Sequence, residues 1–221
     1  MVTGHFSRAI ADPACNALLK PKLHGFDTRE FGTCRQLVND VRASKYRVAL
    51  LITCSDLGFA PEQWINAPPN RLSIIQNLGN MVPHHSAVSK RSNSIDVAIR
   101  RYEFRHVVVS GHLRCRALKH LLCDELTSLG GATAEWLRGG LSTVQTIKDH
   151  YHDFNQTQFG HVIAAQEHVL SQLEILRTLS CVRERLAVSR LHLHGWYFDD
   201  VTGIIQCYDP QSGQFTTCQS S

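Results

Sequence analysis

Val107-Val108-Val109-Ser110-Gly111-His112-Leu113-Arg114-Cys115 is the stretch that decides the fold. Its first half is short and β-branched, the pattern of a strand buried on both faces. From Gly111 onward it changes to turn and ligand chemistry. A second stretch has the same plan: Val48-Ala49-Leu50-Leu51-Ile52-Thr53 runs into Cys54-Ser55-Asp56. A helical pattern follows each run. Strands alternating with helices imply an α/β fold with a mainly parallel sheet flanked by helices. Such sheets bind ligands beyond the carboxyl ends of their strands. Cys54 and His112 stand at two such ends, so the two motifs can converge in space.

A helix is expected after Gly111, which would place His112 and Cys115 on one helical face. Two thiolates and an imidazole suit zinc or another borderline metal. Three protein ligands leave one tetrahedral position free, as catalytic zinc sites do. Cysteine is also a common core residue without chemistry, and Cys54 alone would not decide. The set Cys54, His112 and Cys115, with Asp56 two residues past the first thiol, favours zinc.

Outward from these motifs, Arg29 to Ala43 reads as a helix and Leu72 to Gln76 as a second strand. Asn93 or Ser94 can cap a helix running to about Tyr102. Ala117 to Leu126 continues the ligand-bearing helix. His161 to Leu179 reads as an amphipathic helix through Val162, Ala165, Val169, Leu173 and Leu176. Arg190 to Tyr208 reads as a strand pair at one sheet edge, turning at Asp200-Val201-Thr202-Gly203. Residues 1–25 form an arm, and 26–221 a single domain without repeat or linker.

The 221 residues are 43% hydrophobic and 19% charged, enough for one globular domain with a core. The formal charge of +4 comes without a Lys/Arg run, which argues against nucleic acid. No apolar stretch approaches the roughly 20 residues of a membrane span, and no export signal opens the chain. A reducing cytosol follows, with Cys15, Cys34, Cys123, Cys181, Cys207 and Cys218 expected as free thiols. Cys207 and Cys218 flank a short tail and could pair under oxidation. A redox enzyme is disfavoured because there is no Cys-x-x-Cys. His84-His85 and His192/His194 fit loop or strand positions better than ligand positions.

The motifs resemble those of the β-class carbonic anhydrases. That family carries Cys-Ser-Asp-Ser-Arg and Gly-His-x-x-Cys-Gly at two strand ends. Here they are Cys54-Ser55-Asp56-Leu57-Gly58 and Gly111-His112-Leu113-Arg114-Cys115-Arg116. Between them, Gln76-Asn77-Leu78-Gly79-Asn80-Met81-Val82-Pro83 is similar to Arg-Asn-Ala-Gly-Asn-Ile-Val-Pro. Ser94-Ile95-Asp96-Val97-Ala98 is similar to Ser-Ile-Glu-Tyr-Ala. His194-Gly195-Trp196-Tyr197-Phe198-Asp199, with Thr202-Gly203, resembles the closing strands. The likeness spans about residues 25–210. It implies zinc on Cys54, His112 and Cys115, and interconversion of carbon dioxide and bicarbonate. It also implies an N-terminal arm packed on a neighbouring subunit, and a homodimer or higher homo-oligomer, sometimes within a carbon-fixing assembly. Asp56 would accept a hydrogen bond from the reacting hydroxide and orient it. The competing role for Asp56 is a helix N-cap.

The chain departs from the pattern around that pocket. The family's Arg, two residues after the Asp, is Gly58. A carboxylate beside a dication coordinates it unless a guanidinium holds it elsewhere. Asp56 could therefore fill the open position as a fourth ligand and close the site. Arg116 replaces a Gly; it either holds Asp56 from the other side or blocks the pocket. No Gln precedes the first strand, where the family places one toward bicarbonate; Lys45 is there instead. Gln76 replaces an Arg. Gly111 and Leu57 are expected at the substrate, with Leu57 and Arg116 able to reshape the entrance. Three readings follow: a carbon dioxide hydrating enzyme, a non-catalytic homologue with a closed zinc site, or a hydrolase of carbonyl sulfide or carbon disulfide. His84 and His85 are candidate proton relays.

Overall fold

β1 (Ala49–Cys54) is buried at every position, as is β3 (His106–His112). They pair in parallel at the centre of the sheet. Side chains alternate across a strand. Leu50 and Ile52, with Val107 and Val109 of β3, enter one apolar core; Ala49, Leu51 and Val108 enter another on the opposite face. Each such fully buried aliphatic side chain contributes about 1.5–3 kcal/mol.

The protein is seen in a computed structural model that describes residues 19–20, 23–58, 61–83, 94–151 and 160–218. Beside β1 and β3 lie β2 (Leu72–Asn77), β4 (His192–Phe198), β5 (Ile205–Asp209) and β6 (Gln214–Thr217). The order is β2-β1-β3-β4-β5-β6. β1 to β4 run parallel, and β5 and β6 are antiparallel. The expected turn at Asp200–Gly203 joins β4 to β5: Asp199 accepts from Gly203 N–H at 2.8 Å, and its carboxylate accepts from Val201 and Thr202. β6 is an addition to the expected strands, so the antiparallel edge is β5 with β6, while β4 extends the parallel part.

The described α-helices are α1 (Cys34–Ala43), α2 (Ser94–Arg101), α3 (Arg116–Leu122), α4 (Gly131–Leu137), α5 (Leu141–His150), α6 (Gly160–Thr178) and α7 (Ser180–Ala187). α1 starts where the Thr33 hydroxyl accepts from Gln36 N–H at 3.1 Å. It lays Leu37 and Val41 on the Leu51–Val108–Trp196 face. α6 packs on the other face against β3 and β4.

α6 is not the amphipathic helix that its apolar spacing suggests. Gln166, Glu167, His168, Ser171 and Gln172 are buried alongside its apolar residues. Most of these polar groups find partners elsewhere in the chain, while Ser171 Oγ and Gln172 Nε2 have none among the described residues. Gln166 donates to Gln206, Gln172 accepts from Val82 N–H, and Glu167 accepts from Tyr151 and pairs with His24 at 2.7 Å.

Two further expectations change. Cys34 and Cys218 are not free thiols but form a disulfide across 184 residues of sequence. The fold brings the start of α1 to the tail after β6, a proximity that spacing cannot reveal. Cys123, Cys181 and Cys207 are free. Of the arm expected over 1–25, residues 19–20 and 23–25 are described; Leu19 is buried in this chain's own core and Leu23 packs against it. Cys15, His84, His85 and Asn93 lie outside the described residues, so their expected roles do too. No described helix is long and apolar enough to cross a membrane.

Candidate metal centre

Parallel pairing sets Thr53 beside Ser110, so the two strands end together. Cys54 closes β1 and His112 closes β3, and both are buried. His112 belongs to the strand and not to a helix: β3 stays paired with β4 through Phe198, and Leu113 N–H donates to Phe198 O at 3.1 Å. The chain then turns. Cys115 caps α3 with extended φ −68° and ψ 112°. The ligands thus meet across a strand end and a helix start, not on one helical face. Arg114 ties this turn to the β4–β5 connection through Asp200 at 3.0 Å.

The ligand atoms of Cys54, His112 and Cys115 all lie within 4.8 Å of one another. The two sulfurs are 3.7 Å apart. Zn–S bonds of about 2.3 Å at a tetrahedral ion separate two sulfurs by about 3.8 Å. Both His112 ring nitrogens are buried without a hydrogen-bond partner among the described residues. A buried imidazole without a partner is costly and is satisfied by a metal. The donor set and its spacing therefore fit zinc.

The sulfur of Cys54 is cradled by its surroundings. The Cys115 thiol, then the neighbouring His112 ring, and then the N–H groups of Asp56 (3.4 Å) and Gly79 (3.3 Å) hold the Cys54 thiol well below its ordinary pKa against the opposing effect of burial. The same pairing with Cys54, together with burial, pushes Cys115 up. The Gly79 donor is aimed by a loop the sequence comparison quotes without assigning a role. Asn77 closes it, its side chain donating to Met81 O at 2.9 Å and accepting from Met81 N–H at 2.7 Å. Gly79 adopts φ +76°, a left-handed conformation suited to glycine. Its carbonyl is held by His168 Nε2 at 2.8 Å, while Thr143 meets His168 Nδ1 at 2.8 Å. Asn77 and His168 are the positioning residues that sequence reasoning misses. The turn-rich run Asn77–Asn80 could have flagged the first; nothing local flags His168, from 89 residues away.

Asp56 lies outside the three-ligand group. Both of its carboxylate oxygens are engaged by Arg116. The guanidinium donates to Oδ1 at 2.9 Å and the Arg116 backbone N–H to Oδ2 at 3.1 Å. The second contact uses a free donor at the start of α3, where a carboxylate is favoured. Asp56 thus serves a helix start, though of a helix distant in sequence. Arg116 acts from the first residue of α3, not from a helical face shared with His112. At Gly58 an added Cβ meets nothing within 4 Å, so the position is open.

Leu57 is buried, 7% exposed. Gly111 has a packing role: a Cβ there would lie 2.8 Å from Val169 and 3.1 Å from the Ala165 carbonyl of α6. His192 and His194 begin β4 at the other end of the sheet, and the ring of His194 meets that of His106 at 3.0 Å.

The family model for carbonic anhydrase matches residues 49–205. The chain belongs to the β class of that family. It is 31% identical over 183 residues to a carbonic anhydrase of Synechococcus elongatus, covering 82% of this chain and 67% of that protein. It is 30% identical over 183 residues to one of Pseudomonas aeruginosa, covering 82% of each. Among solved structures, the β-carbonic anhydrase CcaA aligns with a TM-score of 0.71 at 27% identity over 84% of each chain. A β-carbonic anhydrase of Sordaria macrospora, described as tetrameric, shares the fold with a TM-score of 0.61 at 23% identity, covering 79% of this chain and 85% of that one. In this chain the guanidinium beside Asp56 comes from Arg116 at the start of α3, while position 58 is a glycine.

Proposed function

We propose that this carbonic anhydrase is zinc-dependent and interconverts carbon dioxide and bicarbonate, with Cys54, His112 and Cys115 holding the metal. The observation that carries the reading is the double grip of Arg116 on Asp56. It holds the carboxylate outside the ligand group, so that Asp56 would leave a bound zinc open to water. A bound zinc supplies the Lewis acidity that makes water a nucleophile near pH 7.

The chain's own residues do the rest. Cys54 and Cys115 supply thiolate ligands, and the N–H groups on Cys54 fix that sulfur. Each Asp56 oxygen keeps a lone pair beyond its contact with Arg116. Asp56 can therefore accept the hydrogen of the reacting water and turn a lone pair toward the carbon. The Arg116 side chain, 78% exposed, brings positive charge beside Asp56 at the surface, where it can attract bicarbonate.

A homodimer or higher homo-oligomer belongs to the same reading. Among the described residues β2 is a sheet edge, paired only with β1 and half-buried along most of its length. Such edges need cover, and sedimentation velocity measures whether a second copy provides it.

Stopped-flow carbon dioxide hydration on zinc-loaded protein tests the activity. The rate is expected to rise between about pH 6.5 and 9, where metal-acidified water titrates, and to vanish in Cys54→Ala. No hydration with one zinc still bound per chain would overturn the reading. Assays with carbonyl sulfide and carbon disulfide would then separate a hydrolase of those analogues from a non-catalytic protein.

A further inference from the structure

A second group of three ligands lies far from the first along the chain. The sulfurs of Cys34, Cys207 and Cys218 all fall within 4.8 Å of one another, and each residue is half-buried. Sheet register explains why they meet. Cys207 of β5 pairs with Trp196 of β4 and Thr216 of β6. Cys218 extends that ladder by donating its N–H to Ile205 O at 3.0 Å. Cys207 and Cys218 are therefore diagonal neighbours on one sheet face. That is the Trp196 face, which α1 covers, and the first residue of α1 is Cys34.

We propose that Cys34, Cys207 and Cys218 form a second metal site, a three-thiolate cradle for a soft d10 cation such as zinc, that exists only when the Cys34–Cys218 disulfide is reduced. In the oxidised chain two of the three sulfurs are spent on each other. A dithiol reductant opens the bond: it gives up two electrons and two protons, leaves as a cyclic disulfide, and Cys34 and Cys218 become thiols. Metal binding then releases thiol protons to solvent as thiolates form. Three sulfurs at tetrahedral edges of about 3.8 Å require side-chain shifts of about an ångström or two, within the reach of χ1 rotations. Disulfide and metal are thus exclusive occupants of one corner where the tail after β6 meets α1. The corner stays fastened in either state, by a covalent bond or by an ion.

The test counts metal on the full chain. Protein reduced with a phosphine reductant is expected to bind two zinc ions, measured by elemental analysis after gel filtration; oxidised protein is expected to bind one. Cobalt(II) on reduced Cys54→Ser protein should give the intense thiolate-to-metal band near the ultraviolet edge. Cys207→Ser, which leaves the disulfide pair intact, should lower the reduced count from two to one. Cys218→Ser should do the same, so a folding defect in one variant does not decide the outcome. A reduced chain that binds one zinc would sink the proposal. So would a second zinc that survives both substitutions, which would mark an adventitious ion only.

Discussion

Two groups of three ligand side chains occupy this molecule, and they are built in opposite ways. Cys54, His112 and Cys115 sit at the ends of central strands, all buried, with backbone N–H groups already turned toward the Cys54 sulfur. Cys34, Cys207 and Cys218 sit at the sheet edge, and two of them are joined to each other. Hydrogen bonds hold the Cys54 thiol down, whereas burial pushes Cys207 up to about 12. The difference teaches that sulfur proximity alone does not define a catalytic centre. What distinguishes the central group is a prepared environment and a carboxylate held beside it.

The largest effect that could break this comparison is on the central group. Cys54→Ala should lower the hydration rate on the order of 10³-fold or more, because the metal contributes several kcal/mol to the barrier. Cys207→Ala should leave it within about twofold. Equal losses in the two variants would erase the distinction.

Next comes stability. Cutting the Cys34–Cys218 link by Cys34→Ser should cost about 3–5 kcal/mol in urea unfolding of oxidised protein, since the closed loop spans nearly the whole chain. The same substitution should leave the central group's zinc affinity unchanged in a chelator competition.

A buried cluster with no metal role provides a control. Burial would lower the pKa of His24, but its hydrogen bonds to Glu167 and Glu174 outweigh this and raise it from 6.5 to about 9. A raised histidine contributes stability that is complete below 6.5 and lost as pH rises through about 9. The expected loss is about 2–3 kcal/mol. His24→Gln should flatten the stability profile between pH 6.5 and 9.5 without changing zinc content. An unchanged slope would show that the pairing contributes nothing.

The smallest effect concerns Asp56. Arg116→Gly should reduce hydration about 10- to 100-fold, the value of a charge-assisted contact, with zinc retained. Adding Gly58→Arg should recover part of the rate, because that position is open. Higher activity in Arg116→Gly alone would show that Arg116 blocks the pocket.

Much of this was readable in the sequence, and the misreadings have physical causes. β1 and β3 stand out because buried parallel strands are unbroken apolar runs. The ligands stand out because Cys54 and His112 end those runs. The His112–Cys115 spacing fits a helical face, yet strand pairing with β4 continues through His112 and only then does the chain turn. Gln214–Thr217 carries too little apolar signal to read as a strand; its pairing with β5 makes it one. α6 shows its apolar positions, but the burial of Gln166, Glu167, His168 and Gln172 depends on partners distant in sequence. The disulfide between Cys34 and Cys218 depends on the assembled sheet, whereas the grip of Arg116 on Asp56 was one of the two readings its residue type offered.

Gly79 is anchored on both sides: its N–H donates to the Cys54 sulfur and its carbonyl is taken by His168. These two groups belong to successive peptide planes, so fixing both leaves the loop almost no freedom to rotate. A buried helix therefore sets the angle at which a dipole meets the Cys54 sulfur. Movement of α6 by a few tenths of an ångström would be felt at Cys54 as a change in electron density, with no ligand displaced.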